Sequence, residues 1–238
     1  MSSSPKTFLV CHGAWSAGWA WKKMHPLMQK AGHRLVTPTY TGLGERAHLA
    51  HPAIDLETHI TDMLNVITYE DLRDFVLIGH SYGGMVATGV ADRARDKVRQ
   101  LIYIDAFVPD SGESLFDFLP ESERLRMREG VRSGDGWRVP PNPTSPDTPS
   151  EDVVWLNERR VHMPLQCLEQ PLKLSAPLSL PRSYIYATRI SPADVFGQFA
   201  KMAKGNPAAW GYYEMDASHS PNVTAPEVLM AMLEKIAR

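Results

Sequence analysis

The chain has 238 residues, 43% of them hydrophobic and 22% charged, the balance of a soluble globular protein with a sizeable core. Its 25 basic and 27 acidic residues leave a formal net charge of −2, so there is no basic footprint for nucleic acid and no single-sign field to steer a charged partner. Two cysteines, Cys11 and Cys167, are too few for a disulfide scaffold, and no apolar run approaches the ~20 residues of a membrane span. Met1 to Lys6 lacks a signal-peptide plan. The expectation is a cytoplasmic protein of one domain acting on a small molecule, with no nucleic-acid or membrane partner, no cofactor and no metal.

In chain order, Thr7-Phe8-Leu9-Val10-Cys11 predicts a buried strand stopped by His12-Gly13. Residues 17–31 have helical spacing and end at Gly32, as a C-terminal glycine should. Arg34 to Pro38 is the next strand, followed by a loop at Thr41-Gly42-Leu43-Gly44, a helix over Leu56–Thr68 and a strand at Phe75-Val76-Leu77-Ile78. Residues 82–95 predict a helix and Gln100 to Ile104 a fourth strand. The rhythm resumes with strand Ser183–Ala187, helix Pro192–Lys204, strand Trp210–Glu214 and a closing helix Ala225–Ala237. Such alternation implies an α/β fold, a mostly parallel sheet of about six strands with helices on both faces. Ligands then bind outside the carboxyl ends of the strands.

Between these halves the pattern changes. Eleven of the 19 prolines fall between residues 108 and 181. The run Trp137 to Pro146 is expected to hold no regular structure, because proline lacks an amide donor and restricts its predecessor. Helical candidates flank it near 114–129 and 150–169. The expectation is a scaffold of residues 1–107 and 182–238 carrying an inserted cap, 108–181. Its apolar residues, among them Leu115, Phe116, Trp137 and Trp155, suit a lid over a ligand.

The strongest chemical signal is Gly79-His80-Ser81-Tyr82-Gly83-Gly84, a G-x-S-x-G nucleophile elbow between an apolar strand and a helix. The glycines two residues either side of Ser81 remove side chains that would collide as strand turns into helix, and the helix N-terminus aims amide dipoles at developing negative charge. A base is expected late in the chain. His219, in Ala217-Ser218-His219-Ser220-Pro221, follows a strand and precedes the last helix. His48 and His51 have no carboxylate or cysteine cluster beside them and read as surface-loop residues. The oxyanion donors expected are the backbone amides of Tyr82 and of Ala14, in Cys11-His12-Gly13-Ala14-Trp15, with His12 orienting the loop.

Five stretches carry a family likeness: Phe8 to Ala14 with Gly18-Trp19-Ala20-Trp21; Ala31-Gly32-His33; Leu77 to Met85; Ala106-Phe107-Val108-Pro109-Asp110; and Ala217-Ser218-His219. With them the chain resembles the α/β-hydrolase superfamily, and within it the small branch of plant methylesterases and hydroxynitrile lyases. The resemblance implies Ser81 as nucleophile, His219 as base and the Ala14 and Tyr82 amides as oxyanion hole. It breaks at the third triad member. Where the branch carries its aspartate, after the strand that follows the lid, this chain has Ile190.

Two replacements compete. Asp194 lies near, but Ser191-Pro192-Ala193-Asp194 also reads as a plain helix start, with Ser191 as N-cap. Asp105 stands at the carboxyl end of the Gln100–Ile104 strand, where other α/β-hydrolases place their acid, and it is the preferred candidate. The expected activity is hydrolysis of a small to medium apolar or aromatic ester. Trp15, Trp137, Trp155 and His162 are candidate substrate contacts. Hydroxynitrile lyases carry a lysine where Ser220 stands and a threonine where Gly13 stands, so a lyase is the weaker alternative. A ligand-binding receptor on the same scaffold is another, opposed by the intact Ser81 and His219.

Overall fold

Short, near-continuous apolar runs form strands buried on both faces of the sheet. In the computed structural model, which describes residues 4–189 and 194–237, the first four strands are β1 (Thr7–Cys11), β2 (Arg34–Val36), β3 (Phe75–His80) and β4 (Val98–Ile104). A short antiparallel pair follows, β5 (Arg138–Val139) with β6 (Met163–Pro164). The last strands are β7 (Arg182–Ala187) and β8 (Trp210–Met215). The main sheet has the order β2-β1-β3-β4-β7-β8, and every pairing in it is parallel.

Because strand side chains alternate between faces, each strand feeds two cores. Phe8, Val10, Val76, Ile78, Ile102 and Ile104 form one. It is covered by α1 (Met24–Lys30) and α9 (Pro226–Ile236) through Met24, Met28, Leu229 and Leu233. Leu9, Cys11, Phe75, Leu77, Leu101 and Tyr103 form the other. That face is covered by α2 (Leu56–Tyr69), α3 (Gly83–Arg93) and α7 (Gly197–Gly205). A fully buried side chain of this size contributes about 1.5–3 kcal/mol relative to exposure, so both layers hold the sheet.

Residues between β4 and β7 contain α4 (Glu121–Ser133), α5 (Ser150–Asn157) and α6 (Gln166–Glu169). A final short helix, α8 (Pro221–Thr224), precedes α9. No helix among the described residues is long and apolar enough to cross a membrane.

Three sequence expectations change. The helix expected over 17–31 divides into a 3-10 turn, Gly18–Trp21, and α1. Pro26 lies in the first turn of α1, where its missing amide leaves no hydrogen bond unmade. Part of the Trp137–Pro146 run is regular after all: Arg138 and Val139 pair with Pro164 and Met163, and the prolines begin only after that strand. The helix expected over Pro192–Lys204 begins at Gly197. Asp194 precedes it, and its Oδ1 accepts the Gly197 amide hydrogen at 2.8 Å. Ile190, Ser191, Pro192 and Ala193 lie outside the described residues.

Candidate active site

β3 runs as far as His80 and α3 begins at Gly83, so Ser81 sits in the turn between them. Its φ of 56° is in the left-handed region, costly for a residue with a Cβ. The surroundings hold it there. Its amide donates to the Ile104 carbonyl at 3.4 Å, while its carbonyl accepts from Gly84 at 3.0 Å and Phe107 at 3.2 Å. Gly83 is sterically required, since a Cβ there would lie 2.0 Å from the Cys11 carbonyl oxygen. β1, β4 and α3 thus converge on one partly exposed residue, Ser81.

His219 comes from the segment between β8 and α8, and its Nε2 is 2.9 Å from Ser81 Oγ. On the other side of the ring, Nδ1 donates to Asp105 Oδ2 at 2.7 Å. That bond fixes the tautomer and leaves the Nε2 lone pair facing the serine hydroxyl. Asp105 is almost fully buried at the end of β4, with φ 42°. Its amide donates to the Ile185 carbonyl at 2.8 Å, and its other carboxylate oxygen accepts from the Ala187 amide at 3.4 Å. Burial pushes its carboxyl above the ordinary range, and the bond to His219 counters that rise.

Asp194 does not reach the imidazole. Its Oδ2 accepts from the Tyr186 hydroxyl at 2.8 Å and its Oδ1 from the Gly197 amide. Phe196 instead meets His219, stacked at 4.7 Å between ring centroids and 12° from parallel.

Buried neutral histidines surround the site. His80 Nε2–H donates to the His219 carbonyl at 2.7 Å, so the residue before Ser81 anchors the backbone of His219. Burial lowers its pKa to about 3. His12 Nδ1–H donates to the Gly13 carbonyl at 2.9 Å, and its Nε2 accepts from the Tyr40 amide at 3.3 Å. Burial lowers His12 to about 3 as well, in keeping with a loop-orienting part. His48 and His51 are exposed.

The hydroxyl and imidazole open into a cavity of about 650 Å³ whose wall includes Ala14, Trp15 and Tyr82. A Cβ on Gly13 would lie 3.2 Å from Ser81 Cβ, so glycine brings this loop against Ser81. The positive φ of the turn belongs to Trp15, at 58°. Trp15 is held by the chain between β4 and β7: its indole N–H donates to the Val139 carbonyl at 3.0 Å, and its carbonyl accepts from Val161 at 3.2 Å.

Of the four aromatic candidates for substrate contact, Trp15 lines the cavity and Trp137, Trp155 and His162 do not. Trp155 packs edge-on against Trp19 at 5.0 Å, Trp137 lies under the Arg138 guanidinium at 4.8 Å, and His162 is exposed. Among the described residues, only the Trp155 ring of the three joins its segment to another, through Trp19. The wall includes Phe107, Leu119, Phe196 and Arg160 in their place. Phe107 lies in the likeness-bearing Ala106–Asp110 stretch, which was its one sequence signal; Phe196 and Arg160 have none, because their position depends on how the segments fold back.

Comparison with known proteins agrees with this architecture. A carbendazim-hydrolysing esterase of Nocardioides sp. (strain SG-4G) is 39% identical over 237 residues, 95% of this chain and 97% of that protein. Methylesterase 2 of Arabidopsis thaliana is 30% identical over 118 residues, 45% of this chain and 41% of its own. Among solved structures, an extracellular α/β-hydrolase from a Paenibacillus species superposes with TM-score 0.86 at 22% identity, covering 98% of this chain and 100% of that one. The model of the alpha/beta hydrolase family matches residues 8–232, and the chain belongs to that family.

Proposed function

We propose that the protein is a serine carboxylic-ester hydrolase, cleaving a small to medium ester with a largely apolar or aromatic body through an acyl-enzyme intermediate. The observation that carries this reading is the hydrogen-bonded line Ser81 Oγ, His219 Nε2, His219 Nδ1, Asp105 Oδ2 at the wall of an apolar-lined cavity. The relative named as an esterase, alike over nearly its whole length, supports it.

The chemistry follows from those positions. Ser81 Oγ attacks the ester carbonyl carbon while His219 Nε2 takes the hydroxyl proton. The carbonyl electrons move onto oxygen, and the Ala14 and Tyr82 amides are the proposed donors to that oxyanion, a contribution typically worth ~10²–10³ in turnover per donor. Collapse of the intermediate breaks the bond to the alkoxy oxygen, which leaves with the proton from Nε2. Water then enters, gives a proton to Nε2 and attacks the acyl carbon; collapse of the second tetrahedral intermediate breaks the bond to Ser81 Oγ, which takes the proton back from Nε2 as the acid leaves. Asp105 accepts the Nδ1–H bond throughout and stabilises the imidazolium formed in each half-reaction.

In the same proposal, residues 108–181 act as the cap over the cavity and residues 1–107 with 182–238 as the catalytic scaffold. The tether from Trp15 to Val139 and Val161 supports a cap registered to the oxyanion loop. A cytoplasmic setting belongs to the proposal too, supported by the buried, unpaired thiols of Cys11 and Cys167.

Hydrolysis of p-nitrophenyl acetate and butyrate tests the reading. The wild type should release nitrophenol, and Ser81→Ala should lower the rate by at least about 10⁴-fold. Turnover that survives Ser81→Ala would overturn it.

A further inference from the structure

Three arginines line the cavity, and two are neutralised within the protein. Arg126 bonds Glu123 at 2.9 Å and the Asn142 side-chain oxygen at 2.6 Å. Arg189 pairs with Asp216 at 2.9 Å and Asp147 at 3.5 Å. Arg160 differs. Among the described residues no carboxylate lies within ion-pair distance of it, although it is half-buried. Its Nη1 donates to the Asn142 carbonyl at 2.7 Å, and its guanidinium lies over the Trp15 ring, 5.8 Å from the centroid. A guanidinium has five N–H donors, so this bond leaves most of the fork unused.

Its place in the site is defined. Val161, the next residue, donates its amide to the Trp15 carbonyl, and Trp15 adjoins Ala14. Arg160 therefore stands on the oxyanion-loop side of the cavity. The carboxylates in the wall have other partners: Asp105 holds His219, Glu123 holds Arg126, and Asp194 accepts from Tyr186 and Gly197. Burial lowers the Arg160 pKa with no opposing charge to restore it, so an anion entering the cavity would relieve that penalty.

We propose that Arg160 is a carboxylate subsite, and that the natural ester carries a second, ionised carboxylate held by this guanidinium while its ester carbonyl lies at Ser81. The subsite rests on the esterase reading and narrows it: an apolar body with one anionic end. The planar fork suits bidentate capture of a carboxylate, with Trp15 supporting one face of the guanidinium.

The test compares matched ester pairs. On the acyl side these are mono-p-nitrophenyl succinate, glutarate and adipate against p-nitrophenyl butyrate, valerate and hexanoate. On the alcohol side they are 4-acetoxybenzoate against 4-methylphenyl acetate. The readout is the ratio of kcat/KM within each pair, in wild type, Arg160→Met and Arg160→Lys. In at least one pair the ratio should fall about 10- to 100-fold in Arg160→Met, mainly through KM, with Arg160→Lys intermediate. The side of the responding pair locates the carboxylate. An unchanged ratio in every pair overturns the subsite, including the case where both esters of a pair weaken together because Arg160 merely ties Asn142 in place. Calorimetric binding of succinate, glutarate and adipate needs no turnover. Arg160-dependent binding in a protein that cleaves no ester would leave the subsite standing and sink the hydrolase reading, whereas ester cleavage with no Arg160-dependent binding or ratio would do the reverse.

Discussion

Asp105 Oδ2 lies 2.7 Å from His219 Nδ1, although 114 residues separate the two in the chain. The reason is sheet order. β4 and β7 are parallel neighbours, so the position after β4 and the position after β7 share one edge of the sheet, about one strand spacing, ~4.8 Å, apart. A carboxylate on either strand end is within reach of the same imidazole. The acid can therefore shift from one strand to the next without moving the base or the nucleophile.

This relationship sets the first prediction. Asp105→Asn should reduce kcat by about 10³–10⁴-fold with little change in KM, because an amide no longer favours the tautomer that faces Ser81. Asp194→Asn should stay within about threefold, since that carboxylate is occupied by Tyr186 and Gly197. Steady-state kinetics of both variants decides it, and the reverse ranking would remove Asp105 from the site.

A second prediction concerns His80, whose Nε2–H holds the His219 carbonyl. His80→Phe keeps an aromatic ring but leaves that carbonyl without its donor. Stability should drop by about 1–3 kcal/mol. Turnover measured well below the melting temperature should also fall, because the base is no longer anchored. A variant that melts earlier yet turns over at the wild-type rate would reduce His80 to a packing residue.

Acid stability gives a third. Burial lowers His12 and His80 to about 3 and His59 to about 4, against the ordinary imidazole value of about 6.5. The unfolded chain therefore binds protons at these positions before the native one does. Their contribution is intact above about pH 6.5 and is lost as pH falls toward 4, at up to about 1.4 kcal/mol per pH unit for each histidine. Asp105, raised by burial, acts in the opposite direction, but it is one group against four, since burial lowers His33 as well. Urea unfolding from pH 7 to 4 should show the decline, and His59→Phe should flatten it by close to one proton. An equal slope in that variant would contradict the assignment.

The elbow gives a fourth. Gly83→Ala would set a methyl 2.0 Å from the Cys11 carbonyl oxygen, so β1 and α3 must separate. The expected loss is about 1–3 kcal/mol, with impaired turnover because Ser81 moves with the elbow. Gly205→Ala, where a Cβ meets nothing within 4 Å, should leave the melting temperature close to wild type. Thermal denaturation of the pair checks this.

By itself the sequence determined what depends on neighbours along the chain. Short apolar runs alternating with periodic helices, and a G-x-S-x-G turn, are local patterns. They were enough for the order of elements, the placement of Ser81 at a strand end and the selection of His219. Element edges moved where a capping contact or a proline intervened, as at α1 and α7. Only the tertiary structure decided which distant groups meet. Asp105 and Asp194 are both acids near a strand end, and their separation in roles comes from the β4–β7 pairing and from the partners of Asp194. Trp137, Trp155 and His162 read as lid residues because they are aromatic in an irregular segment, yet that segment brings Arg160 to the wall in their place, and Phe196 reaches it from the turn before α7. Composition records how much apolar and charged surface a chain has; which of it faces a cavity is set by contacts between residues far apart in sequence.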